Sequence, residues 1–319
     1  MDKRLFLKTC TGLVTSLFTK FSIANNNPIK VIVGFQAGGN TDSLARVIGT
    51  ILSESLGRPV IIENKPGASG RIAVEYAAAS KPDGSTLLIS PQGPLTLFPQ
   101  IFENLKYSAS QFTPVTGLGA SDIAIVIGPN VPANNFIEFI KWVKNSSTPP
   151  AYASPGNGTV MHFAGVILGE SIGKELIHVP YQGGTRQIMD LAGGSIPIAL
   201  SNVTEAMHLH NQGRVKIIAT MGGKRSKFTP TIPTLIEMGH KINITGWTAL
   251  YSPNGVDNKI LDEYRSIIAA SINKSSVQEM LASQGLEPYL LATDEVNKLI
   301  ESESGLWRKA ISTSKFSAT

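Results

Sequence analysis

"VIVGFQAGGNTDSLAR", Val31 to Arg46, passes from an apolar β-branched run through a glycine-rich turn into a segment with helical spacing. Leu44, Val47, Ile48, Ile51, Leu52 and Leu56 recur three and four apart and make one apolar stripe. The spacing predicts a helix that Gly57 ends and Pro59 keeps from continuing. A strand ending on Gly34, a loop holding Gly38 and Gly39, and Asn40 or Thr41 as N-cap would aim several backbone N–H groups at one spot. Such a spot attracts an anion.

The same order of strand, glycine turn and helix recurs on both sides of this stretch. Ile29 to Val33 and "VIIE" (Val60 to Glu63) read as strands, "PGASG" (Pro66 to Gly70) as a turn, Ile72 to Ser80 as a helix and "STLLIS" (Ser85 to Ser90) as a third strand. This βαβαβ pattern implies parallel strands with right-handed crossovers. A second array begins near Ile123, with strands at Asp122 to Ile127 and Ala151 to Ser154 around a helix from about Asn134 to Asn145. "SPGNGTVMH" (Ser154 to His162) then opens a helix whose stripe is Val160, Phe163, Ala164, Ile167 and Leu168, and "ELIHVPYQGGTRQIMDLAGG" repeats the unit. Two such arrays predict an α/β chain of two lobes, with ligands collecting at the C-terminal ends of the strands. Beyond Gly246 the pattern is mainly helical, over Ile260 to Ile272, Val277 to Ser283 and Glu295 to Ile311, and is expected to pack back on the first lobe.

The first 24 residues read as an export signal: Lys3, Arg4 and Lys8, then an apolar stretch from Leu13 to Phe18, then Ser22-Ile23-Ala24 as a small-x-small cleavage pattern. "KRLFLK" (Lys3 to Lys8) is similar to a twin-arginine signal with its first arginine replaced. The single cysteine, Cys10, lies within this segment, so the remaining chain has no thiol chemistry and no disulfide. Removing Lys3, Arg4, Lys8 and Lys20 together with Asp2 takes three units off the formal charge of +5, which leaves no electrostatic footprint for nucleic acid.

Several chemistries are excluded by spacing. Gly34, Gly38 and Gly39 do not form G-x-G-x-x-G, and no G-K-[ST] occurs, so the opening loop is not a nucleotide site. No G-x-S-x-G elbow is present. His208 and His210 are two apart on a predicted helix and diverge, His178 lies beside a strand, and no metal cluster emerges. His162, in the first turn after the second glycine loop, is the histidine best placed to act. The sequence thus predicts no catalytic residue, metal or cofactor. What remains is either a pair of capped turns with no ligand or a carboxylate held between two helix N-termini, one per lobe, with Thr41 on one side and Ser154 or Thr159 on the other. A few charge-assisted bonds of about 1.5–3 kcal/mol suffice for the roughly 8 kcal/mol of a micromolar complex.

"GFQAGGNTDSLAR", "GRPVIIENKPGASG", "KPDGSTLL", "FTPVTGLG", "SPGNGTVMHFAG", "HVPYQGGTRQIMDLAGG", "TIPTLIEMG" and "GWTALYSPNGV" follow one another along the chain. In this ordered set the sequence resembles the Bug-type periplasmic solute receptors of tripartite tricarboxylate transporters. The resemblance implies a two-lobed periplasmic-binding-protein fold of the Venus flytrap type, each lobe a mixed sheet flanked by helices. Lobe 1 would comprise 25–122 and 247–319, and lobe 2 residues 123–246. It implies that Phe35 to Asp42 (Phe35, Gln36, Gly38, Gly39, Thr41, Asp42) and Ser154 to His162 (Ser154, Gly156, Gly158, Thr159, His162) pinch one carboxylate, with Gln92, Asn202, Trp247 and Thr248 lining the rest of the cleft. A monomer, a small organic carboxylate ligand, membrane transporter subunits as partners and a periplasmic location follow as expectations, with a membrane sensor kinase as an alternative partner. Three departures stand out. Gly34 replaces the usual proline and is expected to loosen the loop, Gln111 stands where an acid is common, and Asn202 occupies a strand end that often carries an acid. The last argues against an ammonium-bearing ligand.

Overall fold

The computed structural model describes residues 27–283 and 287–314; the segment read as an export signal, with Cys10, lies outside them. Among the described residues ten strands form one continuous sheet with two halves. In the first, β1 (Ile29–Val33) pairs in parallel with β2 (Val60–Asn64) and β3 (Thr86–Pro91), and β3 pairs antiparallel with β9 (Thr245–Pro253). In the second, β5 (Ala151–Ser154) pairs in parallel with β6 (Ile177–Pro180) and β7 (Ile198–Asn202). The 16-residue β4 (Phe112–Ile127) joins the halves. Up to Asp122 it pairs with β9, and with β10 (Glu287–Leu291); from Ile123 it pairs with β7 and with β8 (Lys216–Thr220). The predicted strand at Asp122 is therefore the second part of a longer one. Its glycine-rich beginning hid it, with register shifts around Thr116 and Gly119 that break the period-two pattern.

Helices cover the faces because their apolar stripes require it. In α1 (Asn40–Leu56), Leu44, Val47, Ile48, Ile51 and Leu52 are buried, and Gly57 ends the helix in the left-handed conformation at φ 61°. The α2 helix (Arg71–Ala78) and the short α3 (Gly93–Thr96) and α4 (Phe98–Ile101) complete the first half. The second half carries α5 (Phe136–Asn145), capped by the Asn135 side chain on Glu138 N–H, with α6 (Val160–Ile172), α7 (Gly184–Ala192) and α8 (Val203–Asn211). The C-terminal helices are α9 (Asn258–Ile272), α10 (Ser275–Ser283) and α11 (Thr293–Thr313).

The C-terminal stretch departs from the sequence reading in two respects. It supplies β9, which sits inside the sheet between β3 and β4. In addition, α11 does not stay on the first half: Val296 packs with Leu88 and Trp247, whereas Trp307 and Ala310 enter the second core beside Phe163 and Ile123. A 21-residue helix spans about 31 Å, and its buried positions run from Val296 to Trp307 and Ala310. Burial of Trp307, about 200 Å² of side chain, gives an upper estimate near 5 kcal/mol for anchoring that end.

Candidate functional site

Strands β1, β5 and β6 each end at a glycine turn followed by a helix, and the three helix starts open on one cleft. Its space, open mouth included, is about 900 Å³. The N-cap of α1 is Gly39, in extended conformation, rather than Asn40 or Thr41; it has no side chain with which to cap, so the N–H groups of the first turn stay outside the helix's own bonding. Gly39, Asn40 and Thr41 line the cleft with Phe35 and Gln36. Across from them stand Thr159, Val160 and Met161 at the start of α6, and Gln182 to Arg186 at the start of α7. Ser121, Ile123, Gly246, Trp247 and Thr248 form the floor where the halves join, and Gln92 and Asn202 complete the wall.

Six residues expected at the ligand instead support the loops from behind. Asp42 is 2% exposed, and its carboxylate accepts hydrogen bonds from Gly38 N–H (2.9 Å), Arg46 Nε (2.9 Å) and Nη2 (3.1 Å), and Asn64 Nδ2 (2.9 Å). Burial alone would raise its pKa. The bonds from Arg46, Gly38 and Asn64, with the Arg46 charge, outweigh burial and hold it below the ordinary carboxylate range. Gly38 and Asp42 thus brace the first loop. Gly34 does not loosen it: β1 passes so close to the 3₁₀ turn Ala68–Gly70 that a β carbon at Gly34 would stand 2.7 Å from Gly70 Cα.

The second loop is braced in the same way. Ser154 Oγ donates to Gly156 O (2.9 Å) and meets His178 Nε2 at 2.7 Å; Thr159 Oγ1 donates to Gly156 O (2.8 Å) and accepts from His162 N–H. Gly158 N–H donates to His162 Nδ1 at 3.1 Å, which assigns the His162 ring proton to Nε2. Ser154, Gly156, Gly158 and His162 lie outside the cleft lining. Their bonding fixes the turn geometry that presents Thr159 to Met161.

The rings of His162 and His178 stack at 3.8 Å between centroids. Burial lowers their pKa values to about 4 and about 3, His178 being lowered further by its neighbour. Both are neutral in the folded chain near neutral pH. The unfolded chain takes up these protons near pH 6.5, so stability falls as pH drops from about 6.5 towards 4. At pH 5 the pair is expected to cost on the order of 2–4 kcal/mol relative to pH 7. Glu205, Glu303 and Asp122, whose pKa values burial raises, act with the opposite sign. The informative measurement is therefore a comparison: between pH 7 and 5 the wild-type melting temperature should fall several degrees more than that of His178→Gln. Equal falls would remove the histidine pair as the cause.

Behind the floor, Glu303 of α11 accepts hydrogen bonds from Gln92 Nε2 (3.1 Å), Trp247 Nε1 (3.1 Å) and Trp307 Nε1 (3.3 Å). Gln92 Oε1 in turn accepts from Trp247 N–H at 2.6 Å. Gln92 and Trp247 reach the cleft but are already committed to this network. Sequence reading weighed Arg186 as a partner for a second anionic group of the ligand, but did not place Gln182 to Thr185 or Glu205 at the cleft. Gln182 to Thr185 had a readable signal, since "VPYQGGTR" repeats the strand, glycine turn and helix of the opening stretch. Among the residues lining the cleft, Arg186 and Glu205 are the ionisable ones, and Arg186 is paired with Asp190 at 3.1 Å.

Known proteins share this fold. A Rhodopseudomonas palustris protein solved with adipate, Rpa4515, superposes with a TM-score of 0.85 at 26% identity, covering 90% of this chain and 96% of its own. The periplasmic binding protein BugD gives 0.83 at 26% identity, over 89% and 96%. MatC of the same R. palustris, solved with malate, gives 0.81 at 25% identity, over 89% and 98%. The fold is thus that of the α/β periplasmic binding proteins, with mixed sheets flanked by helices. Among the described residues no helix is long and apolar enough to cross a membrane. Residues 44–315 match the tripartite tricarboxylate transporter family receptor, and the chain belongs to that family of solute-binding receptors, which are not enzymes.

Proposed function

We propose that the chain captures a small organic carboxylate in the cleft between two lobes, 25–122 with 247–319 and 123–246, the end of α11 crossing onto the second, and presents it to the membrane subunits of a tripartite tricarboxylate transporter from the periplasm. One observation carries this reading: the starts of α1, α6 and α7 line a single cleft, and the first turn of a helix has N–H groups that the helix itself leaves unbonded. Each helix start carries about half a positive charge, so three together form an anion site that needs no lysine or arginine. The adipate and malate bound by two similar proteins support a carboxylate as that anion. Bonds from both lobes stabilise the closed state selectively, and the membrane partner would reopen it.

A thermal-shift screen of the chain from Asn25 against mono-, di- and tricarboxylates, aromatic acids and amino acids tests the reading. A ligand at a hundred times its dissociation constant adds about 2.7 kcal/mol, a shift of several degrees. A response confined to acids supports the receptor and names its cargo. Silence across all acids would sink it.

A further inference from the structure

The Glu205 carboxylate lies in the cleft at the point where the two halves approach each other. As the third residue of α8 it accepts from both the backbone N–H and the side-chain amide of Asn202, and Oε2 accepts from Ser201 Oγ at 2.9 Å. It also reaches across the cleft, where Asn40 N–H of α1 donates to Oε1 at 3.4 Å. The first turn of α7 closes over it from the side: a β carbon on Gly184 would run into the carboxylate. The partners that Glu205 meets are neutral: Ser201, Asn40 and Asn202. A carboxylate has about four acceptor positions; Ser201 and the Asn202 backbone and side chain engage three of them, and the contact to Asn40 is long at 3.4 Å, so one weakly filled position remains on the cleft side. Beside it, the Asn40 side-chain oxygen is buried and has no partner. Two acceptors with unused capacity thus face the space a ligand would enter.

We propose that Glu205 is a specificity-determining residue: its carboxylate, with the Asn40 oxygen, receives a hydrogen-bond donor on the ligand, so that the cleft selects acids bearing a hydroxyl or ammonium substituent over their unsubstituted parents. This rests on the carboxylate-receptor reading above and deepens it. A bare second carboxylate in this position would meet like charge, whereas a donor satisfies two acceptors that are costly to leave unpaired. The inference drawn from Asn202 is also reversed: the acid missing at the strand end is supplied one helical turn later.

The test is titration calorimetry with matched acids: propionate, lactate and alanine; succinate, malate and aspartate; glutarate, 2-hydroxyglutarate and glutamate; phenylacetate, mandelate and phenylglycine. In at least one series a substituted acid should bind about tenfold or more tightly than its parent, and Glu205→Ala should reduce that preference to within about threefold. Glu205→Gln separates the two donors, because its amide oxygen can still accept from a hydroxyl but carries no charge for an ammonium group. A parent that binds wild type as tightly as its substituted forms overturns the proposal, and this comparison decides even if the variants fail to fold. A preference that survives Glu205→Ala also overturns it. If no acid in any series binds wild type, the carboxylate reading falls and this proposal with it; binding without discrimination removes this proposal alone.

Discussion

Asp42→Ala is expected to lower the stability of the chain by about 2–3 kcal/mol and to weaken ligand binding at least tenfold, to the extent set by charge-assisted bonds. The substitution strips four hydrogen bonds from a carboxylate that is 2% exposed, and it frees the Gly38 N–H and the Asn64 amide together. Arg46 is more than half exposed and regains water, which keeps the loss below that of a fully buried pair. A functional loss is expected beside the stability loss. Asp42 touches none of the cleft, yet it fixes the turn between β1 and α1, and with it the direction of the first-turn N–H groups. Asp42→Asn retains the shape and one acceptor and should fall in between. The acid limb follows the same logic: the folded pKa is depressed, so this stability is present above pH 4 and disappears as the carboxylate protonates below it. Calorimetry alongside thermal unfolding checks both effects. An Asp42→Ala chain that melts lower but binds as before would show that the loop holds its geometry without the brace.

The half-sheets were legible in the sequence because their signals are local. Val31 to Val33, Leu87 to Ile89 and the α1 stripe are buried as the apolar periods require, and the terminating role of Gly57 is written in the residue itself. The long β4 was not legible, since Thr116 to Ala120 lacks alternation and pairs only through partners more than a hundred residues away. The span of α11 over both cores was hidden for a related reason: a stripe tells which face is buried and says nothing about what covers it.

The site divides along the same line. That three glycine turns meet at one cleft follows from parallel topology, and each of the three turns could be read from pattern. Which atoms of a turn face the cleft is decided by hydrogen bonds that spacing does not encode. Gly38, Asp42, Ser154, Gly158 and His162 use their donors and acceptors inside the protein. Glu205 carried no signal beyond being the third residue after a helix cap, a place where glutamate is ordinary.

Gly156→Ala is expected to weaken ligand binding by about 5- to 150-fold while leaving the melting temperature of the unliganded chain nearly unchanged. Sequence reading assigned the bare backbone of this residue to the approach of a carboxylate. In the structure the space is taken by the opposite lobe: a β carbon at Gly156 would stand 2.6 Å from Ser69 Oγ and 3.1 Å from Ser69 Cβ. Ser69 has little freedom to withdraw, because Gly67, Ala68, Ser69 and Gly70 all hold positive φ and the turn is set by that run. The contact is relieved most readily by parting the lobes, so an overpacking cost of about 1–3 kcal/mol is charged to the closed state, which is the state that holds ligand. Two controls separate this from a local defect. Gly39→Ala, on the other side of the cleft, finds its nearest neighbour at 3.7 Å and an ordinary φ of −86°, and should bind within a few-fold of wild type. Ser69→Gly removes the obstructing atoms at a position whose φ of 56° suits glycine, so the double variant Gly156→Ala with Ser69→Gly should recover most of the lost affinity. Recovery makes the lobe contact the cause. A double variant as weak as Gly156→Ala alone would return Gly156 to the ligand's own contacts.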